Sequence, residues 1–263
     1  MTDRTIHLFL GSLDDVDIPE IRSACAALLC ASERAQAERF TSDRRRREYV
    51  FAHGLVRAAL SRFAPEVAPT AWLFERTRYG RPFISYPRTA ERLHFSLSHT
   101  DGCVACAVSS CERVGIDVEA TDRPVSYLEI SRTYFSSAEH ANLIALPPAQ
   151  QKDRFFDLWT LKEAYAKARG LGFQLRLNEF SIHVAPGGNR TITFSRDCGD
   201  DPKSWCLSQF CPSPRHRLAI ADGSGCGLPV VSEPWPIQSQ ATVRSPRTAD
   251  MRVRKGMIER RHS

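Results

Sequence analysis

The stretch Phe155–Gly172 (FFDLWTLKEAYAKARGLG) constrains this chain more than any other. Apolar and aromatic residues recur at Phe155, Leu158, Trp159, Tyr165 and Ala166, the spacing of one buried helical face. Leu, Ala, Lys and Glu suit the helix interior, and Gly170 with Gly172 supplies a stop. Phe156, Thr160, Glu163 and Lys167 fall on a second stripe, offset from the aromatic one. Glu163 and Lys167 are four residues apart and therefore neighbours on it. Taken alone, such a pair is an exposed ion pair worth a few tenths of a kcal/mol. What surrounds the helix decides whether it is more than that.

Upstream, Thr5–Leu10 (TIHLFL) predicts a first strand and, after an acidic loop, Ile21–Leu29 a helix. Thr41-Ser42-Asp43 offers N-cap chemistry for a helix over Arg44–Phe63 that buries Tyr49, Leu55, Val56, Ala59, Leu60 and Phe63. Arg44–Arg47 open that helix, where free backbone N–H groups favour anions; the run reads either as a solvated patch or as a phosphate site. Trp72–Thr77 predicts a strand, Arg78-Tyr79-Gly80-Arg81-Pro82 a basic turn, and Leu93–Ser109 a hairpin turning at Ser98-His99-Thr100-Asp101-Gly102. Residues two apart in a strand share a face. In Val114–Glu119, Ile116 and Val118 then face the core, and Asp117 and Glu119 stand side by side opposite. Two adjacent carboxylates repel unless a cation lies between them, and hard oxygen donors suit Mg²⁺; the plainer reading is a half-exposed edge strand. Tyr127–Ala145 predicts helix, with a capping box from Ser136 to Glu139. Phe180–Ala185, Thr191–Phe194, Trp205–Phe210 and Arg217–Ala221 predict further strands, the first two separated by a turn at Pro186-Gly187-Gly188-Asn189.

The 263 residues allow one large core or two modest lobes. No apolar run approaches the roughly 20 residues of a membrane helix, and acidic residues follow the N-terminal apolar patch where a signal peptide would be cleaved. A cytoplasmic protein without a membrane partner is expected. Of the net charge of +6, Gly223–Ser263 carries +4, which leaves a nearly balanced body. That balance argues against nucleic acid as a partner. The tail, rich in Gly, Pro, Ser, Thr and Arg, is expected to be largely disordered. Nine cysteines include Cys103-x-x-Cys106 but no second such pair, and an odd count argues against a disulfide framework. Small core residues are the expectation.

Asp117 and Glu119 on a strand with Glu163 on a helix can hold Mg²⁺, which would bind phosphate oxygens. Lys167 can neutralise or protonate a leaving phosphate, and Arg81, His99 and Arg44–Arg47 can hold others. The residues point to phosphoryl or pyrophosphate chemistry and do not name the substrate.

Gly115-Ile116-Asp117-Val118-Glu119, Phe135-Ser136-Ser137-Ala138-Glu139, Trp159–Ala168 (WTLKEAYAKA) and Gly170-x-Gly172 resemble the signature of the 4′-phosphopantetheinyl transferases. Tyr79-Gly80-Arg81-Pro82 and Phe95-Ser96-Leu97-Ser98-His99 resemble that superfamily's basic turn and Ser-His motif. The likeness runs from about Arg34 to Ala221, and the length resembles the monomeric two-lobed type that activates peptide and polyketide synthases. The resemblance implies an α/β (α+β) fold of two similar lobes, 1–113 and 114–222, with the active site between them and 223–263 as a basic tail. It implies Mg²⁺-dependent transfer of the phosphopantetheine arm of coenzyme A to a serine of an apo acyl or peptidyl carrier protein, releasing adenosine 3′,5′-bisphosphate. By the same token Asp117, Glu119 and Glu163 match the metal carboxylates, Glu163 also the proposed base, and Lys167 the lysine that protonates the departing phosphate. Gly80, Arg81, Pro82, Ser98, His99 and Lys167 match coenzyme A contacts, and so does Arg47, with Arg46 the alternative by a one-residue shift in register. Arg81 stands where many members have Lys, which keeps the charge and changes the geometry. The alternative class is a coenzyme A- or carrier-binding homologue that has lost catalysis.

Overall fold

The computed structural model describes residues 4–13, 18–89, 92–185, 188–195 and 198–237. Two runs of elements follow one plan. The first contains β1 (Ile6–Ser12), α1 (Pro19–Leu28), α2 (Ala31–Glu38), α3 (Asp43–Phe63), the hairpin β2 (Leu73–Arg76) and β3 (Pro82–Tyr86), then β4 (His94–Thr100) and β5 (Cys103–Ser109). The second contains β6 (Val114–Ala120), α4 (Tyr127–Tyr134), α5 (Ser137–Ile144), α6 (Pro148–Arg169), the hairpin β7 (Phe180–Val184) and β8 (Arg190–Phe194), then β9 (Cys206–Phe210) and β10 (His216–Asp222). In each run the first strand pairs with the last and the last with the one before it, giving β1-β5-β4 and β6-β10-β9, all antiparallel. This is the mixed α+β architecture of two similar halves. The repeat is absent from the residues and present in the topology, because a buried pattern can be met by many apolar side chains.

The outer face of the first sheet is covered by α1 and α3, where Ile21, Phe51, Leu55 and Leu60 share a core with Phe9, Val104 and Cys106. The outer face of the second is covered by α6, through Phe155, Leu158, Leu161 and Ala164 in one core with Ala219 and Ala221. The remaining faces share a third core of Ile6, Leu8, Ala105, Ala107, Ile116, Val118, Leu218 and Ile220. Gly115 allows β6 and α6 to approach: a Cβ there would lie 2.0 Å from the Ala164 carbonyl oxygen.

Several expectations are revised. The long helix starts at Pro148 and is buried almost all round, because the second sheet packs on one side and α4, α5 and β7 on others. Phe156 and Thr160, on the second stripe with Glu163 and Lys167, are buried, and so is Lys162, whose Nζ lies 2.6 Å from Glu139 Oε2 and donates to the Phe180 carbonyl at 2.8 Å. The half-exposed edge reading of β6 also fails. β4 runs beside it, and the hydroxyls of Ser96, Ser98 and Thr100 accept the N–H groups of Ile116, Val118 and Ala120 at 3.1, 3.2 and 3.1 Å. Cys25, Cys103 and Cys106 are core residues as expected, whereas the other six are half-buried or exposed.

The tail expected to be disordered from Gly223 is ordered as far as Ile237. β11 (Val230–Glu233) adds to β1 in parallel, Glu233 Oε1 lies 2.6 Å from His7 Nδ1, and Trp235 stacks on Phe51 at 4.8 Å between centroids. Val230, Trp235 and Ile237 supply apolar anchors that the surrounding Gly, Pro and Ser conceal by composition. Residues 238–263, the acidic loop at 14–17 and the expected turn at Pro186-Gly187 lie outside the described residues. Among the described residues no helix is long and apolar enough to cross a membrane.

Candidate active site

Three adjoining cavities follow the junction of β4, β6 and α6. The largest, about 790 Å³, is walled by Gly80, Arg81, Pro82, Phe95, Leu97, Tyr134, Trp159, Glu163 and Lys167. The middle one, about 380 Å³, shares Leu97, Trp159, Glu163 and Lys167 with it and adds Ser98, His99, Asp117 and Glu119. The third, about 500 Å³, shares His99 and Glu119 with the middle one and adds Arg44, Arg45, Glu48 and Arg123. The result is a groove with acidic residues at its centre and cations on the far side.

β6 carries Asp117 and Glu119 to the groove floor, while α6 brings Glu163 and Lys167 one turn apart along its rim. Lys167 Nζ lies 2.7 Å from Asp117 Oδ1 and 2.8 Å from Ser98 Oγ. The lysine expected to neighbour Glu163 on the helix surface thus pairs across to the strand. Asp117 is 5% exposed, and its Oδ2 is buried with no hydrogen-bond partner. Glu119 Oε1 accepts from Trp159 Nε1 at 3.2 Å and from Arg123 Nη2 at 3.0 Å, and Thr100 Oγ1 lies 3.4 Å from Oε2. Burial foremost, then the charge of Asp117, raises the Glu119 carboxyl above its ordinary value. The same two causes, with Glu119 added and Lys167 opposing, push Glu163 up to about 7. One buried and two half-buried carboxylates that repel one another, one with an orphaned oxygen, form an all-oxygen donor set that fits a hard divalent cation. Among the described residues the carboxylates do not close into a preformed metal-ligand cluster.

Other expected residues divide. The chain passes from strand to turn only after Thr100, so Ser98 and His99 belong to β4 rather than to a turn. His99 is exposed on β4 and faces the middle and third cavities, whose walls partly desolvate the ring and lower its pKa. The Arg81 guanidinium donates to the carbonyl oxygens of Ala168, at 3.1 Å, and of Glu112, so it ties the 79–82 turn to the end of α6. Gly170 has φ +63° and closes α6, and a Cβ there would lie 2.6 Å from Arg81 Cδ. The structure does not bring Arg47 to the groove: its Nη2 lies 3.2 Å from Asp43 Oδ2, and with Arg46 it lines a separate hollow beside Arg22. Arg44 and Arg45 take that place, since residues i, i+1 and i+4 of α3 share the side that also carries Glu48. The sequence names the Arg44–Arg47 run as a phosphate site without selecting these two, and sequence reasoning missed Arg123, the Trp159 contact with Glu119 and the hydroxyl rungs. The alternation of Ser96, Ser98 and Thr100 was the available signal for the rungs.

Fold and groove together define an α+β protein of two similar halves with an acidic, lysine-bearing site where the halves meet. The family model described as the 4′-phosphopantetheinyl transferase superfamily matches residues 113–221. The chain is 34% identical over 218 residues to the 4′-phosphopantetheinyl transferase HetI of Nostoc sp., covering 82% of this chain and 86% of that one. It is 33% identical to the 4′-phosphopantetheinyl transferase Sfp of Bacillus subtilis over 63% of this chain and 69% of that one. A third relative is the L-aminoadipate-semialdehyde dehydrogenase-phosphopantetheinyl transferase of Xenopus laevis, 25% identical over 57% and 54%. The chain belongs to the 4′-phosphopantetheinyl transferase superfamily.

Proposed function

We propose that this protein moves the 4′-phosphopantetheine arm of coenzyme A onto a serine hydroxyl of an apo acyl or peptidyl carrier protein, with Mg²⁺, and releases adenosine 3′,5′-bisphosphate. The observation that carries the reading is the meeting of Asp117, Glu119, Glu163 and Lys167 in one groove, in a chain of this superfamily. The halves 1–113 and 114–222 act as the two lobes of a monomer that works in the cytoplasm, and the basic segment beyond Ile237 has no part in catalysis.

Asp117, Glu119 and Glu163 would hold the ion. When bound, Mg²⁺ offsets the negative charge that gathers on the pyrophosphate during in-line attack. Gly80, Arg81 and Pro82 form one wall for coenzyme A, and the largest cavity takes its apolar portions against Phe95, Leu97 and Trp159. His99 offers a ring N–H to a phosphate oxygen, while Arg44 and Arg45 add positive charge in the role first given to Arg47. A free serine hydroxyl is a poor nucleophile, and a carboxylate within hydrogen-bond reach suits its deprotonation. Glu163 takes that proton. Lys167 neutralises the departing phosphate and returns a proton to it.

Purified protein, coenzyme A, Mg²⁺ and apo carrier proteins of fatty-acid, polyketide and peptide type provide the test, read by mass spectrometry of the carrier. A gain of one phosphopantetheine per carrier is expected. No gain on any carrier, with coenzyme A binding intact, would instead identify a binding homologue without catalysis.

A further inference from the structure

Ser98 was expected to contact coenzyme A, yet its side chain has no free capacity. A serine hydroxyl can donate one hydrogen bond and accept two. Ser98 Oγ donates to Asp117 Oδ1 at 2.9 Å, and accepts from Val118 N at 3.2 Å and from Lys167 Nζ at 2.8 Å. The residue is 6% exposed. Its three partners come from β6 and α6, whereas Ser98 itself sits on β4 of the other half.

We propose that Ser98 is a positioning residue: its hydroxyl fixes Lys167 and Asp117 relative to each other and to the seam between the halves. The inference rests on the function proposed above. Ser96 and Thr100 are the internal comparison. All three hydroxyls perform the same seam task, each accepting one N–H from β6. Ser96 Oγ makes that bond to Ile116 N, and only Ser98 adds both Lys167 and Asp117. A role confined to the β4–β6 rungs would make Ser96 and Ser98 equivalent in kcat. A positioning role separates them, because Ser98 holds both members of the direct Lys167–Asp117 ion pair from a third element, β4, whereas Ser96 touches neither. Thr100 shows that threonine makes a rung in the same strand, at 3.1 Å from Ala120 N.

The test compares wild type, S98A, S98T and S96A for melting temperature, amide exchange, coenzyme A affinity and steady-state transfer to an apo carrier. Both alanine variants should lower the melting temperature, S98A more because it also loses the bonds to Asp117 and Lys167, and speed exchange at the amide each leaves unpaired, Val118 in S98A and Ile116 in S96A. S98A should lower kcat about 10- to 100-fold, the range for losing a hydrogen bond to charged groups. Its KM for coenzyme A should stay within about threefold. S96A should keep kcat within about threefold, and S98T should restore most of what S98A loses. If S98A is too unstable to purify, S98C keeps the volume, weakens the hydrogen bonds and carries the same expectation. The proposal is overturned by an S98A variant with wild-type kcat, by an S96A variant that loses as much kcat, or by a loss in S98A confined to coenzyme A affinity. Inactivity of the wild type on every carrier would overturn the functional reading and this inference with it; an active wild type with an unaffected S98A overturns this inference alone.

Discussion

Replacing Glu163 by glutamine should stabilise the metal-free protein above neutral pH. The Glu163 carboxyl is pushed up from 4.5 to about 7, first by burial and then by Asp117 and Glu119. A displacement of that size is worth about 3 kcal/mol. The unfolded carboxyl loses its proton near pH 4.5 and the folded one near 7, so between them the folded state holds more protons and stability falls as pH rises. The contribution is complete below pH 4.5 and gone above 7. Glutamine does not titrate. Relative to E163Q, the wild type should therefore lose up to about 3 kcal/mol between pH 4.5 and 8. Urea unfolding of both proteins in EDTA across this range gives the difference, provided m stays constant. Parallel pH profiles would refute the argument that burial and two neighbouring carboxylates keep this group protonated. Mg²⁺ extends the same reasoning, because a carboxylate must shed its proton to bind a metal. Titration calorimetry in buffers of different ionisation enthalpy should find about 0.9 proton released per ion from Glu163 at pH 6, and about 0.1 at pH 8.

Three further outcomes follow from buried charges. Lys167→Ala should slow transfer about 10²- to 10⁴-fold, the range for losing a proton donor, and change coenzyme A affinity less than tenfold; single-turnover kinetics beside equilibrium binding separate the two, and a loss confined to affinity would contradict the role. Lys162→Met leaves Glu139, 4% exposed, without its cation, and should cost about 3–5 kcal/mol, or roughly 10 °C in melting temperature; pairing it with Glu139→Gln should recover part of the loss. Glu33 titrates in the opposite sense to Glu163: burial raises its carboxyl, but His53 and Arg57 prevail and hold it at about 2. Its stabilisation is present above pH 4.5 and lost as pH falls toward 2, so the acid limb of a profile of unfolding free energy against pH, from urea unfolding, should be about 3 kcal/mol shallower in Glu33→Gln.

The sequence was most legible where local physics is decisive. Ser42 caps α3, and the Ser136–Glu139 box caps α5, because such caps need only neighbouring residues. The floor of the groove was legible too, since alternation along Val114–Glu119 separates Ile116 and Val118 from Asp117 and Glu119 whatever lies opposite. What alternation does not state is the partner. Whether β6 had an exposed edge depended on hydroxyls twenty residues upstream, and Phe156 and Thr160 on α6 were buried because sheet and helices pack around α6 on several sides. The Arg44–Arg47 run shows the limit at finer grain: a helix with four consecutive arginines aims them in different directions, and only packing selects the pair that meets His99. β11 was hidden for a different reason. A short strand among Pro, Gly and Ser has the composition of a tail until its apolar residues find Phe51 and the edge of β1.

The seam between β4 and β6 explains why the groove lies where it does. A backbone ladder would hold the strands about 4.8 Å apart and leave no room for a side chain between them. When hydroxyls act as acceptors, the join is lengthened by a side chain, and Asp117 and Lys167 reach into it. The rungs add three hydrogen bonds of about 1 kcal/mol each to the core that the two sheets share, in place of the full backbone pairing that joins β1 to β5. Coenzyme A, as proposed, touches Arg81 and His99 in one half and Lys167 in the other, and so bridges this seam. Saturating coenzyme A should therefore raise amide-exchange protection most at Ile116, Val118 and Ala120, whose hydrogen bonds cross the seam, and little at β1 or β5 within one sheet. Protection confined to the 79–82 turn would show that the ligand sits in one half alone, and equal protection throughout would show that it does not act on the seam.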